Sequence, residues 1–189
     1  MTEPRTTRTT TLRTAHTAEL SDAERGEIRS LMDEAFDGDF GDEDWDHCLG
    51  GVHALVRDSR TGLVVGHGSV VQRRVLHRGR SLRVGYVEAV AVREGYRCRG
   101  AGGQVMAALE RIVDGAYVLG ALSATDEGAS LYARRGWRLW AGPLAALGPS
   151  GQVPLPDEED STYVRPAAGR ALPDPSAPLV FDWRDGDVL

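Results

Sequence analysis

One carboxylate interrupts an otherwise apolar run, "YVEAVAV" at residues 86–92, and that carboxylate is Glu88. Its neighbours read as a central strand, apolar on both faces. An ionised carboxylate buried there without a partner is costly, so Glu88 is expected to face a ligand, a water or a cation. The chain continues as "REGYRCRGAGG" (93–103), which places Arg97 and Arg99 among glycines 100, 102 and 103 at a helix start. Glycines let a backbone approach a ligand closely, and the free N–H groups of a first helical turn carry the positive end of the dipole. Such a loop can grip an anion. It can equally be a glycine-eased corner between strand and helix, and the loop alone leaves the two level. It is not a P-loop, which needs Lys-Ser or Lys-Thr in a chain that has no lysine. Nor is it a dinucleotide fingerprint, because Val105 stands where the third glycine belongs.

Other reactive side chains give less. Cys98 lies in the loop with no adjacent base, so it is not expected to be a nucleophile. Tyr132, beside Leu131, reads by itself as core packing. The five histidines (16, 47, 53, 67, 77) show no paired metal spacing, and no metal ligand is expected.

The elements that must position these residues follow from periodicity and punctuation. With 189 residues, 41% of them hydrophobic, the chain suits one domain. Residues 1–8 are expected as a flexible tail and 9–189 as the domain. Strands are predicted at 9–17, 51–58, 63–78, 82–92, 117–124 and 137–147, with late strands in "STYVRP" and "APLVFDWRDGDVL". Helices are predicted at 20–36, from Gly102 onward, and at 126–135; Ser21 and Glu24 form a capping box on the first. "GPSGQVPLPDEED" reads as loop. The class is α/β (α+β), one domain with a mixed central sheet and helices on both faces.

Net charge is −6, with acids clumped at 33–46, 157–160 and 182–187. Nucleic acid is repelled by such surfaces, whereas a small polycation is attracted; singly, each cluster also reads as a solvated loop. No apolar run approaches a membrane span, the start lacks a secretory apolar core, and two cysteines suit a reducing cytosol. No nucleic-acid or membrane partner is expected, and the expected location is cytoplasmic.

The pattern Arg97-x-x-Gly100-x-Gly102, between an apolar strand and an amphipathic helix, resembles the acetyl-CoA loop of the GCN5-related N-acetyltransferases (GNAT). "SLYARRGW" (130–137), one strand later, is similar to the second motif of that superfamily. Further blocks, "AFDGDFGDEDWDHCLGGVHALV", "VVQRRVLHRGRSLRVGYVEAVAVR", "GAYVLGALSA" and "FDWRDGDVL", resemble the aminoglycoside 2′-N-acetyltransferases in order and over nearly the whole chain.

That resemblance implies a GNAT-like domain that uses acetyl-CoA as cofactor. Val90, Ala91 and Val92 would hold the pantetheine arm, and Arg97, Cys98, Arg99, Gly100, Ala101, Gly102 and Gly103 the pyrophosphate. It makes Glu88 a base acting through water, Tyr132 the acid that protonates the leaving thiolate, and the Val90 N–H the donor that polarises the thioester carbonyl. An ammonium cannot attack a thioester until a proton has left, which is the chemistry such a base serves. Substrate contacts are implied at Asp39, Asp44, Glu88, Ala89, Ser123, Asp157, Glu158, Asp187 and Leu189, with an acidic substrate loop at 150–160 and a C-terminal segment at 177–189 near the site. Trp183 is expected to pack in the last strand. Relatives end in an aromatic residue where this chain has Leu189, which leaves substrate preference open. The implied partner is a polycationic aminoglycoside, and the implied assembly a homodimer. Two alternatives stand beside this: acetylation of another amine (a cell-wall sugar, a polyamine or a protein N-terminus), and a non-catalytic acyl-CoA-binding module. Retention of both Glu88 and Tyr132 argues against the second.

Overall fold

The β-branched and apolar runs become ten strands of one mixed sheet in the computed structural model, which describes residues 9–189. The tail expected at 1–8 lies outside the described residues. β1 (Thr10–His16) pairs antiparallel with β2 (Val52–Asp58), which pairs antiparallel with the first half of β3 (Val64–His77). β4 (Arg80–Val92) returns along the whole of β3. The crossover helix α3 (Ala101–Ala116) then makes β5 (Leu119–Ser123) parallel to β4.

Helices cover both faces because alternate strand residues face opposite ways. The stripe Ile28, Leu31 and Met32 of α1 (Asp22–Ala35) packs with Leu55, Val64 and Ala91. On the other face α3 sets Val105, Met106, Leu109 and Val113 against Ala54, Val56, Val65 and Val87. Each such fully buried aliphatic side chain contributes about 1.5–3 kcal/mol relative to exposure. The expected capping box is present, with the Ser21 hydroxyl accepting from the Glu24 N–H and the Glu24 carboxylate from the Ser21 N–H. Gly68 lets α3 lie close to the sheet, since a Cβ there would stand 2.8 Å from Val105 and 3.0 Å from Leu109. The short helix α2 (Asp42–Cys48) follows α1. α4 (Asp126–Arg134) is tied back to α3 just beyond its end: Glu110 accepts from Arg135 at 2.8 and 2.6 Å and from the Trp137 indole at 3.0 Å.

Three expectations are corrected. Residues 137–147 form two strands rather than one. β6 (Arg138–Leu139) pairs with β9 (Thr162–Pro166) at one end of the sheet, while β7 (Leu144–Gly148) sits near the other between β10 (Leu179–Asp182) and β8 (Gly151–Pro154). Gly142-Pro143 makes the break: proline has no N–H to give a ladder, and a Cβ on Gly142 would lie 2.4 Å from the Pro175 carbonyl oxygen. The stretch read as loop after residue 147 contains β8, whose ladder partner on β7 was invisible to local composition. Finally, the last strand stops at Asp182, and Trp183 is 43% exposed rather than packed within it.

Candidate active site

The site begins where two parallel strands part. β5 is registered with β4 only over Val84–Tyr86, and from Val87 onward β4 has no β5 partner. On its other side the register with β3 jumps from Ser69↔Glu88 to His67↔Ala91, so that no β3 residue is registered with Ala89 or Val90. Ala89 adopts φ +48°, a left-handed conformation that costs a residue with a Cβ about 1–3 kcal/mol and persists only where its surroundings hold it. Its carbonyl oxygen lies 3.0 Å from His67 Nδ1.

This bulge turns consecutive residues, Tyr86 to Val90, toward one cavity. Phe36 and Phe40 form one wall, their rings stacked at 5.7 Å. Acids surround the rest: Asp39 and Asp44 from the segment between α1 and α2 and from α2 itself, Asp187 from the C-terminus, and Glu88. Ser123, Thr125, Tyr132 and Leu189 complete the lining. Ser123 also donates to Ser161 at 2.9 Å and lies 3.4 Å from Glu158, which accepts from Ser161 at 3.0 Å. The structure thus gathers Asp39, Asp44, Glu88, Ala89, Ser123, Asp187 and Leu189 in one cavity, with Glu158 linked to its margin. Asp157 stands exposed on the turn 156–158, outside the lining.

Glu88 has a cation beside it. Arg184 donates to its carboxylate, and the two side chains are only 14% and 15% exposed. Burial raises the Glu88 pKa, and the Arg184 charge and hydrogen bond oppose that rise. Arg184 is itself held, its Nε donating to the Asp187 carbonyl at 3.0 Å and its guanidinium lying 5.3 Å from the Tyr86 ring centre. Arg73 fixes the same tail from beneath, donating to Asp182 Oδ1 at 2.8 Å and to the Val188 carbonyl. His47 and the Asp185 carbonyl are 2.7 Å apart. The Tyr86 hydroxyl is buried without a hydrogen-bond partner. Tyr132 is 7% exposed, edge-on to Trp137 at 6.4 Å, and burial pushes its phenol up to about 12.

A second cavity adjoins the first. Val90, Ala91 and Val92 line it with Arg97, Gly128 and Tyr132, and it shares Val90 and Tyr132 with its neighbour. Arg97 donates to the Val92 carbonyl at 3.2 Å, which folds the loop back along β4. Gly100 caps α3 at φ +90° and Cys98 lies at φ +55°, so the loop is wound into the left-handed region twice before the helix. Gly100 is required by that angle. Gly102 and Gly103 are not required by packing: a Cβ would meet nothing nearer than 3.5 and 3.9 Å. The first turn of α3 carries no acid. Ala101 buries its methyl in the core, so only its backbone can serve a ligand, while Cys98, Arg99 and Gly100 are exposed. Both thiols are free, Cys48 buried and Cys98 exposed, and among the described residues no group of His, Cys, Asp and Glu could hold a metal ion.

Reading the sequence missed the other half of the Glu88 pair. The signal was present as a rule, that a buried carboxylate needs a partner, but the partner is 96 residues away and one of 22 basic residues. Phe36, Phe40, Tyr86 and Thr125 were also passed over, being indistinguishable from core or cap residues until the bulge is seen.

The chain is 46% identical over 181 residues to an aminoglycoside 2′-N-acetyltransferase of Mycolicibacterium fortuitum, covering 94% of this chain and 91% of that one. The solved GNAT-family N-acetyltransferase YhbS of Escherichia coli, in complex with CoA, superposes with a TM-score of 0.66 at 20% identity, over 98% of this chain and 94% of that one. A GCN5-related N-acetyltransferase of Kribbella flavida gives 0.57 at 19% identity over 71% of this chain, which spans 34% of that longer protein. With the parted strands, the bulge and the glycine loop in place, and with residues 16–137 matching the pattern of that family, the chain belongs to the acetyltransferase (GNAT) family.

Proposed function

We propose that this chain transfers the acetyl group of acetyl-CoA directly to the 2′-amine of an aminoglycoside, both substrates being bound together. The observation that carries this is that Val90 and Tyr132 line both cavities, one holding Glu88, Asp44 and Asp187 and the other running along the strand edge Val90–Val92 to Arg97, with Asp39 at both and Asp37 and Glu127 on the second. The identity of the M. fortuitum relative supports the choice of acceptor.

The residues fit the cofactor. Gly102 and Gly103 lack side chains that packing would tolerate, which is what close approach of a pyrophosphate to a helix N-terminus asks for. Arg97 and Arg99 with the N–H groups of residues 98–103 hold the pyrophosphate, and the unpaired edge at Val90, Ala91 and Val92 holds the pantetheine arm as an added strand would. Bound there, acetyl-CoA supplies the thioester carbonyl. The Val90 N–H donates to the oxygen as negative charge develops on it. Glu88 takes up, through water, the proton that the ammonium must lose before it attacks. The Arg184 charge and hydrogen bond favour the ionised carboxylate, against the rise that burial imposes on it. Tyr132, which carries its proton at neutral pH, gives it to the departing sulfur.

On the acceptor side, Asp39, Asp44 and Asp187 offer charge to ammonium groups, Ser123 exchanges hydrogen bonds with sugar hydroxyls, and Glu158 and Asp157 stand beyond it. Leu189 offers the same cavity an apolar contact. A cytoplasmic homodimer belongs to the same reading; the exposed Trp183, Leu147 and Val153 are surface that a second copy could cover, and sedimentation velocity tests it. No described helix is long and apolar enough to cross a membrane.

The test is acetyl-CoA turnover over aminoglycosides with and without a 2′-amine. Turnover confined to the 2′-amino compounds supports the reading. Turnover only with a polyamine or a cell-wall amino sugar moves the chain to another acceptor, and cofactor binding without any turnover leaves a non-catalytic module.

A further inference from the structure

Beneath the bulge lies a hydrogen-bonded chain of two fully buried imidazoles and a half-buried threonine that the proposed chemistry does not use. His67 Nδ1 is 3.0 Å from the Ala89 carbonyl oxygen. His67 Nε2 is 2.9 Å from His53 Nδ1, and His53 Nε2 is 2.8 Å from Thr17 Oγ1. Both imidazoles have zero exposure. We propose that His67 and His53 are positioning residues for acetyl transfer, a one-way hydrogen-bond chain that fixes the Ala89 carbonyl and thereby aims the Val90 N–H.

The direction of the chain follows from its end. A carbonyl oxygen only accepts, so His67 Nδ1 carries a proton. In a neutral ring Nε2 then only accepts, so His53 Nδ1 donates to it. By the same step His53 Nε2 accepts, and the Thr17 hydroxyl, which also lies 3.2 Å from the Gly51 carbonyl, gives its single proton to His53. The rings are neutral because burial disfavours a charge that no carboxylate among their hydrogen-bond partners offsets, and burial does lower both pKa values. One carbonyl therefore sets two tautomers and a hydroxyl. A chain ending on a carbonyl cannot drain the reaction's proton; it is an anchor and not a conduit.

What it anchors is a peptide plane. The Ala89 carbonyl and the Val90 N–H belong to one trans, planar unit and point in opposite directions. With no β3 residue registered at Ala89 or Val90, the ladder does not orient this unit, and the strained left-handed Ala89 needs some other contact to hold it. His67, reaching from β3, holds the carbonyl side. The N–H is thereby turned away from β3, toward the parted strands that both cavities share. Glu88, one residue before, is set by the same bulge.

The inference rests on the proposed acetyl transfer, but its first test does not. Nitrogen-15 spectra of the wild-type imidazoles are expected to show His67 and His53 as the Nδ1–H tautomer, unchanged from pH 8 to pH 6. An Nε2–H tautomer at His67 overturns the proposal whatever the enzyme acetylates. The second test is kinetic. His67→Phe removes the donor and keeps the bulk; it should lower kcat by roughly 10–100-fold, part of the 10²–10³-fold that loss of an oxyanion donor costs, with the acceptor KM within about 3-fold. His67→Asn, whose amide nitrogen stands near the place of Nδ1, should recover most of that loss. Normal kcat in His67→Phe, or no recovery in a folded His67→Asn, contradicts it. Should His67→Phe fail to fold, the tautomer and His67→Asn against wild type still decide: retained kcat with Asn supports the anchor, and a loss as deep as 100-fold refutes it. Absence of turnover in the wild type would instead strike the proposed function.

Discussion

Glu88 and Arg184 form a nearly buried ion pair that ties the middle of the fourth strand to the C-terminal tail. The pair makes the proposed base, Glu88, depend on a residue outside the matched family segment, which ends at residue 137. Replacing Arg184 by Gln removes the charge that opposes burial, so the carboxylate should hold its proton to higher pH. The acidic limb of the kcat/KM profile should therefore move to higher pH. Activity should fall more at pH 6 than at pH 8. A limb that stays in place would mean that Glu88 does not set it.

Tyr132→Phe keeps the edge-on contact with Trp137 and removes only the hydroxyl. General acids contribute about 10²–10⁴-fold, so kcat should drop within that range while CoA affinity by calorimetry is unchanged. A near-normal kcat would return Tyr132 to the packing role that the sequence alone suggested.

Gly102→Ala separates two reasons for a glycine. The protein leaves room for the methyl, at 3.5 Å from Leu131, and alanine in a helix is favoured over glycine by about 0.5–1 kcal/mol. Thermal stability should hold or rise while CoA binding weakens. Unaltered CoA affinity would remove the loop from the cofactor site.

How much of this was legible without coordinates depends on the range over which each feature is encoded. The helices were readable because cap and stripe lie within one segment, as Ser21, Glu24, Ile28 and Leu31 do. Glu88 was readable because one acid in an apolar strand is locally anomalous. The split of 137–147 was missed because Leu139 and Leu144 differ in which distant strand they meet, and nothing local says so. Arg184 and the His53–His67 pair were missed for the same reason: a partner of either sign is chosen by the sheet register and the tail path. His53 and His67 are joined by a hairpin, yet spacing rules for metals gave no cause to look for a hydrogen bond between rings.

Acid should unfold the protein through the same two histidines. Burial, with His16 and Arg25 adding for His53 and His53 adding for His67, lowers their pKa values to about 4 and about 3 from 6.5. Below pH 6.5 the unfolded chain binds protons that the folded chain does not, so stability is complete above 6.5 and lost as pH falls toward 4. At pH 5 the loss is about 2 kcal/mol for each ring, at 1.36 kcal/mol per pKa unit. Urea denaturation from pH 8 to pH 5 should show a falling midpoint, with a shallower fall in His53→Gln. Equal slopes in the two proteins would place the acid sensitivity elsewhere.

The position of the new amide tests the central claim most directly. A 2′-amino aminoglycoside with several other amines is incubated with acetyl-CoA and the protein, and the product is resolved by two-dimensional NMR. A single acetyl group on the 2′-nitrogen is expected, formed roughly 10²–10⁴-fold more slowly when Glu88→Gln replaces the wild type. An acetyl group on any other nitrogen, or on none, would contradict it.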